Sequence, residues 1–132
     1  MIPALFEVTE VSRDNEVTFS LEARSKDGVP FLFRPGQFNM LYAFGKGEIP
    51  ISISGKPYTD HTVIHTVQNV GAVSRALTEL RPGDSFGLRG PFGRGWPVEN
   101  AVGGDLLLMA GGLGLAPLRP VIYEVLHSRS SF

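Results

Sequence analysis

The segment FEVTEVSRDNEVTFSLEA, from Phe6 to Ala23, contains two runs of alternating apolar and polar residues, separated by the polar residues Arg-Asp-Asn. Successive side chains of a β-strand point to opposite faces, so each run places its apolar residues on one face. The segment therefore predicts two antiparallel strands joined by a turn. The expected buried face consists of Phe6, Val8, Val17, Phe19 and Leu21.

The same alternation continues along the chain, interrupted by short turns. DGVPFLFRPGQFNMLYAF, residues 27–44, contains two strand-like runs separated by Pro35-Gly36, a dipeptide suited to a tight turn. Three more strands are predicted in IPISISG, DHTVIHTVQNV and SFGLRG, at residues 49–55, 60–70 and 85–90. This succession is typical of an antiparallel barrel or sandwich.

Two segments do not show this alternation of apolar and polar residues. GAVSRALTEL, residues 71–80, places Val73, Ala76, Leu77 and Leu80 at helical spacing and is followed by Pro and Gly. DLLLMA, residues 105–110, lacks alternation, as a strand buried on both faces would. Helical spacing then returns in residues 118–126, so the sequence predicts a βα unit here.

Composition excludes several classes of function. The chain has 132 residues, of which 42% are hydrophobic, and a formal charge of −1, so it lacks the basic surface that nucleic acid requires. It contains no Cys, and its three His have no metal-ligand spacing. The longest apolar run is far below the roughly 20 residues of a membrane span, and no signal peptide is visible. The expected location is the cytoplasm.

Three short motifs are candidates for binding. Glycines in GGLGLAP, residues 111–117, would let the backbone approach a diphosphate at a helix start, although a tight strand-to-helix turn would also explain them. Ser74, near the start of the 71–80 helix, could contact a phosphate or cap the helix. Ser52 and Ser54 lie on one side of a strand, which is also what an ordinary half-exposed strand would show.

The order of five motifs resembles the ferredoxin–NADP reductase superfamily, in which a flavin-binding barrel precedes a nicotinamide-binding α/β domain. The likeness extends to the branch that holds hydrogenase and sulfhydrogenase gamma subunits, one of the subunits of anaerobic sulfite reductase, and the dihydroorotate dehydrogenase electron-transfer subunit. The motifs are RPGQFNMLY (34–42), EIPISISG (48–55), VGAVSRALTELRPGD (70–84), LRGPFGRGWP (88–97) and AGGLGLAPLRP (110–120).

The resemblance implies a fold that is mainly β: a six-stranded antiparallel Greek-key barrel with one helix, followed by the first βα unit of a nicotinamide domain. It implies FAD as cofactor, with Ser52 near flavin N5 as the catalytic residue. The implied cofactor-binding residues are Pro50, Ile51, Ser52, His65, Thr66, Val67, Gly71, Ala72, Val73, Ser74, Gly111, Gly112, Gly114, Ala116 and Pro117. For His65, an exposed strand position is an equal alternative. Ile49 replaces the family's phosphate-pairing Arg, which predicts weakened FAD affinity.

The implied domains are a barrel at 1–97, a linker at 98–104 and an incomplete NAD(P)-binding domain at 105–132. In an intact protein, electrons would pass from NAD(P)H through FAD to an iron–sulfur or hydrogenase-type partner, any [2Fe–2S] cluster lying beyond this stretch. This stretch alone is expected to be inactive and to self-associate through 105–127. The alternatives are a stand-alone flavin or oxygenase reductase and a flavin-free β-barrel interaction module.

Overall fold

The computed structural model of the protein describes residues 2–59 and 61–128, and these residues form six strands and two helices. The strands are β1 (Ala4–Arg13), β2 (Thr18–Ser25), β3 (Phe38–Ala43), β4 (Gly47–Ser52), β5 (Val63–Gln68) and β6 (Ser85–Phe92). The helices are α1 (Ala72–Thr78) and α2 (Leu115–His127), with short 3-10 turns at Val98–Ala101 and Gly112–Gly114.

The strands form one antiparallel sheet in the order β4-β3-β6-β1-β2-β5. Its two edge strands meet beyond the end of β4, where Ile53 pairs with His65 and the Ser54 N–H donates to the Ile64 carbonyl at 2.9 Å. The sheet therefore closes on itself, which removes its free edges. This arrangement confirms the predicted six-stranded Greek-key barrel.

The β1–β2 hairpin forms where the alternation predicted it. The Asn15 side chain accepts hydrogen bonds from the N–H groups of Val17 and Thr18, both at 2.9 Å, which fixes the turn. The predicted buried face is wrong at Val17, which is 44% exposed, and at Phe19, which is half-buried and lies outside the core cluster, whereas Thr18 and Ser20 are buried. Ser20 can be buried because its hydroxyl is hydrogen-bonded to Thr66 and Asp14.

The barrel interior is filled by apolar side chains from the strands and from α1, and Ile49 and Ile51 of β4 are partly buried against this core. Leu77 of α1 is fully buried, and the helix packs against β3, β4 and β5, as its apolar spacing predicted. The core residues are Phe6, Val8, Leu21, Ala23, Leu41, Ala43, Ile53, Val63, Val67, Leu77, Phe86 and Leu88.

Two predicted strands are not strands in the structure. The run at residues 31–33 lies between Pro30 and Pro35. It makes aromatic contacts instead of the hydrogen bonds of a strand, and the Phe31 ring lies 5.9 Å from that of Phe6. Residues 106–109 also lack strand structure. A parallel strand needs a neighbour to satisfy its backbone groups, and within the described ranges no strand pairs with this run.

Helix α2 follows the glycine motif as predicted and lies against the barrel. Ala116 and Val121 are buried, and the His127 ring stacks on Tyr58 with 3.9 Å between ring centroids. The Lys56 ammonium lies 5.8 Å from the centre of the Tyr123 ring. Residues 129–132, the end of the predicted 105–132 segment, lie outside the described residues. In the part of the chain that the structure describes, neither helix has the length and apolar character for crossing a membrane.

Candidate functional site

A cavity of about 320 Å³ separates the end of β4 from the start of α2, and we call it the β4 cavity. On the barrel side it is lined by Pro50, Ile51, Ser52 and Thr66, and on the other side by Leu113, Gly114, Ala116 and Pro117. Seven of these eight residues were predicted from sequence as cofactor-binding. Two motifs that are about sixty residues apart in the chain therefore face each other across one cavity.

A second cavity of about 440 Å³ adjoins the first, because Thr66, Leu113 and Ala116 line both. We call it the hairpin cavity, since the β1–β2 hairpin forms one wall. Its other lining residues are Asp14, Asn15, Val17, Thr18, Gln68, Gly112, Leu115 and Arg119. Together the two cavities form a crevice between the barrel and residues 112–119.

Of the three predicted β5 residues, only Thr66 presents its side chain to this crevice. His65 and Val67 are fully buried in the barrel interior, as the alternation of a strand requires. The expectation that His65 is an exposed strand residue is therefore wrong. Its Nε2 lies 2.9 Å from the Nδ2 of Asn39, and burial lowers the pKa of His65 to about 3, which keeps the ring neutral.

The Thr66 hydroxyl belongs to a buried polar network that sequence reasoning missed. Its Oγ1 lies 2.8 Å from Ser54 Oγ and 3.0 Å from Ser20 Oγ, and the Ser20 hydroxyl donates to the Asp14 carboxylate at 2.7 Å. The available signal was the position of Ser20 and Thr66 inside otherwise apolar strands, where a hydroxyl needs a partner.

The start of α1 is a separate, open surface, and its residues line neither cavity of the crevice. The Ser74 hydroxyl accepts hydrogen bonds from the N–H groups of Val70 and Gly71, at 2.9 and 2.8 Å, and donates to the Gly71 carbonyl at 3.1 Å. It therefore caps the helix. Gly71 and Ala72 are exposed, whereas Val73 is half-buried and lies close to Gly47 at the start of β4.

The glycine motif enters α2 through the 3-10 turn Gly112–Gly114. Gly112 has φ +55°, in the region that favours glycine, whereas the backbone angles of Gly111 and Gly114 are open to any residue. A Cβ added at any of the three would meet nothing within 4 Å. A tight turn thus explains Gly112 alone, and the other two glycines leave open space in which a ligand could approach the backbone. Gly111 itself lines neither cavity.

No protein-family model matches the chain. It is 37% identical over 125 residues to the sulfhydrogenase 2 gamma subunit of Pyrococcus furiosus, covering 94% of this chain and 43% of that protein. It is 44% identical over 88 residues to a probable dihydroorotate dehydrogenase B (NAD(+)) electron transfer subunit of Methanocella arvoryzae, covering 67% of this chain and 31% of that protein. The chain therefore spans less than half the length of these relatives.

Among solved structures, ferredoxin–NADP⁺ reductase from Plasmodium falciparum superposes with a TM-score of 0.78 at 16% identity, covering 98% of this chain and 55% of that chain. The closed barrel and its α1 helix thus have the fold of the FAD-binding domain of ferredoxin–NADP reductases. By sequence, the chain belongs to the family of the gamma subunits of sulfhydrogenases and the electron-transfer subunits of dihydroorotate dehydrogenase B.

The residues of the crevice fit a flavin. An isoalloxazine ring needs apolar walls with a few polar groups at its edge, and ligand sites in general have this character. Pro50, Ile51 and Leu113 supply apolar surface, while Ser52 and Thr66 supply hydroxyl groups. The open space beside the exposed glycines of the motif leaves room for a second ligand, whose phosphate groups could approach the backbone there.

Proposed function

We propose that this chain is the FAD-binding part of an oxidoreductase that passes electrons from NAD(P)H through FAD to an iron–sulfur or hydrogenase-type partner. The observation that carries the proposal is the β4 cavity, which places Ser52 and Thr66 opposite the glycine motif. A flavin in this cavity would have one face toward the barrel and the other toward the segment that binds nicotinamide dinucleotides in the superfamily.

Within the cavity, this chain's residues bind and orient the flavin while FAD, when bound, supplies hydride acceptance and single-electron transfer. Pro50 and Ile51 form the apolar wall that excludes water from one side of the ring. The Ser52 hydroxyl provides a hydrogen bond toward N5, the role that its position in the family motif assigns. His65 and Val67 support the site from inside the barrel by fixing the strand that carries Thr66.

The diphosphate of FAD is assigned to the start of α1, where Gly71 and Ala72 are exposed. Val73 lies beside Gly47, so this helix start is close to the strand that carries Ile49. Ile49 is packed against the core and offers no charge to a phosphate. FAD binding is therefore weaker than in relatives that have Arg at this position.

The nicotinamide side of the site is assigned to Gly111, Gly112, Gly114, Ala116 and Pro117. We propose domain limits of 1–97 for the barrel, 98–104 for a linker and 105–132 for the first part of the nicotinamide-binding domain. Exposed apolar side chains in 105–127, Leu107 and Met109 above all, favour self-association of this stretch.

Titration of FAD into the purified, flavin-free protein tests the proposal. We expect saturable binding, read from flavin absorbance and fluorescence, with a dissociation constant in the micromolar range. Ser12→Ala, an exposed position that lines neither the β4 cavity nor the hairpin cavity, is the control and should bind FAD like the wild type. Failure to bind FAD at high micromolar concentration would instead favour a flavin-free β-barrel interaction module.

Binding alone does not distinguish a component of a larger complex from a stand-alone reductase. Copurification of the natural protein with iron–sulfur or hydrogenase subunits would support the first. Reduction of free flavins or of an oxygenase component, by a protein that purifies alone, would support the second.

A further inference from the structure

Three hydroxyl groups and one carboxylate form a continuous hydrogen-bonded chain across the barrel wall. Ser54 Oγ lies 2.8 Å from Thr66 Oγ1, which lies 3.0 Å from Ser20 Oγ, and Ser20 Oγ lies 2.7 Å from Asp14 Oδ2. The residues come from the segment after β4, from β5, from β2 and from the hairpin turn. The mechanism proposed above uses only Thr66 among them.

The direction of these hydrogen bonds follows from the number of protons available. An ionised carboxylate can only accept hydrogen bonds, so the Ser20 hydroxyl donates its single proton to the hydrogen bond with Asp14. Thr66 must then donate to Ser20. The Ser54 hydroxyl has two acceptors within reach, Thr66 Oγ1 at 2.8 Å and the Ile64 carbonyl at 3.4 Å, and the shorter contact is the one with Thr66. The hydroxyl protons of Thr66 and Ser20 thus both point toward Asp14, and Thr66 Oγ1 keeps one lone pair for a further donor.

Thr66 and Asp14 differ in exposure, although both line the hairpin cavity. Thr66 is 9% exposed and also lines the β4 cavity together with Ser52, whereas Asp14 is exposed. Ser20, the link between them, is 8% exposed and borders a third cavity together with Asp14. The hydrogen bonds therefore connect the wall of the cofactor cavity to an exposed carboxylate.

We propose that Thr66, Ser20 and Asp14 form an exit path for the proton that the flavin loses when it is reoxidised, an inference that rests on the proposed function. When FAD is bound, its reoxidation would send two electrons, one at a time, to the acceptor and release one proton, which the free lone pair of Thr66 would accept. Thr66 passes its own proton to Ser20, and Ser20 passes its proton to Asp14. Asp14 releases the proton to water.

In this scheme Thr66 contacts the cofactor, and Ser20 and Asp14 act through it. The charged groups that share cavities with Asp14 are Arg119 of α2, Glu10 of β1 and Glu22 of β2.

The decisive variant is Asp14→Asn, because the amide oxygen still accepts the Ser20 hydrogen bond but cannot take up a proton. Glu10→Gln is its matched control, since it removes a neighbouring negative charge outside the chain of hydrogen bonds. The FAD complex of each protein is photoreduced without oxygen and mixed with ferricyanide, a one-electron oxidant. Flavin absorbance and a pH indicator then report oxidation and proton release, in H₂O and in D₂O.

We expect Asp14→Asn to bind FAD within about twofold of the wild type and to release the proton at least about tenfold more slowly. Glu10→Gln should match the wild type in both respects. Proton release from Asp14→Asn at the wild-type rate would overturn the path while leaving the proposed function intact. Absence of FAD binding in the wild type would overturn both.

A second readout needs no cofactor. In the flavin-free protein, NMR can follow the exchange of the Ser20 and Thr66 hydroxyl protons with solvent. If Asp14 is the exit, this exchange slows severalfold in Asp14→Asn and stays unchanged in Glu10→Gln. Equal exchange in all three proteins would overturn the path, and a merely structural role of Asp14 would not produce the expected difference.

Discussion

Asn39 and His65 form a polar pair in the barrel interior, with 2.9 Å between Asn39 Nδ2 and His65 Nε2 and no exposure of either side chain. Their remaining polar atoms, Asn39 Oδ1 and His65 Nδ1, have no hydrogen-bond partner among the described residues. Burial without a compensating charge penalises the imidazolium, which is why the pKa of His65 falls from 6.5 to about 3.

This pair predicts a loss of stability in mild acid. Between pH 6.5 and about 3 the unfolded chain binds a proton at His65 that the folded protein does not, so the free energy of unfolding decreases as pH falls. At pH 5 the expected loss is about 2 kcal/mol relative to pH 7. Urea unfolding at a series of pH values measures it.

The control for this prediction replaces both partners with apolar residues. His65→Leu combined with Asn39→Leu removes the titrating group without leaving a buried amide unpaired, so stability should vary much less between pH 7 and 5. His127→Gln, at the exposed end of α2, should retain the wild-type slope. An unchanged slope in the double variant would show that other groups cause the acid sensitivity.

Gly36 provides a test of how the loop before β3 is fixed. Its φ is +101°, and a Cβ at this position would lie 2.9 Å from the backbone nitrogen of Trp96, which donates a 2.7 Å hydrogen bond to Pro35. Gly36→Ala therefore combines backbone strain with a backbone clash and should lower the free energy of unfolding by at least about 3 kcal/mol. Thermal or urea unfolding measures the loss.

Gly45→Ala is the matched variant, because Gly45 also has a positive φ, +79°, but has nothing within 4 Å of a Cβ. Gly45→Ala introduces the backbone strain without a clash, so it should lower the free energy of unfolding by about 1–2 kcal/mol. Equal destabilisation by the two substitutions would mean that the contact with Trp96 does not hold this loop.

Much of the barrel could be predicted from sequence because the alternation of a strand is visible in consecutive residues. The turn into α2 could be predicted for the same reason, since the glycine motif is also a run of consecutive residues. The polar pairs were not predictable in this way: Ser20 and Thr66 are 46 positions apart, and Asn39 and His65 are 26 apart. Only the closed sheet brings such residues together. The error at 106–109 has a related cause, since an apolar run becomes a strand only where a neighbouring strand can pair with it.

Ile49→Arg tests the assignment of the diphosphate to the start of α1. A charge-assisted hydrogen bond to phosphate contributes about 1.5–3 kcal/mol, so FAD should bind at least about tenfold more tightly. Ile49→Gln, which has a long side chain but no charge, is the control and should show little gain. Isothermal titration with FAD measures both, and unchanged or weaker binding by the Arg variant would show that the motif alignment is displaced.

Ser52→Ala tests the role near flavin N5. A hydroxyl at this atom acts where charge and protons move, whereas the diphosphate provides most of the anchoring. In protein that carries a complete nicotinamide domain, we expect flavin reduction by NAD(P)H to slow about tenfold or more, with FAD affinity within about threefold of the wild type. Ser52→Thr keeps a hydroxyl and should retain most of the rate. Equal losses of rate and affinity would argue against the assignment.

The apolar surface around residues 106–109 leads to a prediction about association. Leu107 and Met109 are 82% and 80% exposed, and they border a cavity of about 350 Å³ whose other walls include Trp96, Leu118 and Val121. Contiguous apolar surface of this kind promotes contact between molecules, so residues 1–132 should form a dimer or larger assembly. Light scattering after size exclusion measures the mass.

Replacing Leu107 and Met109 together with Asp should shift the protein toward the monomer, because each molecule would then bring two charges into the contact. Val29→Asp is the control, since Val29 is 64% exposed but lies in the loop between β2 and β3. A version ending at Gly104 should also be monomeric. A monomeric wild type, or association that survives both changes, would show that this surface does not join copies of the chain.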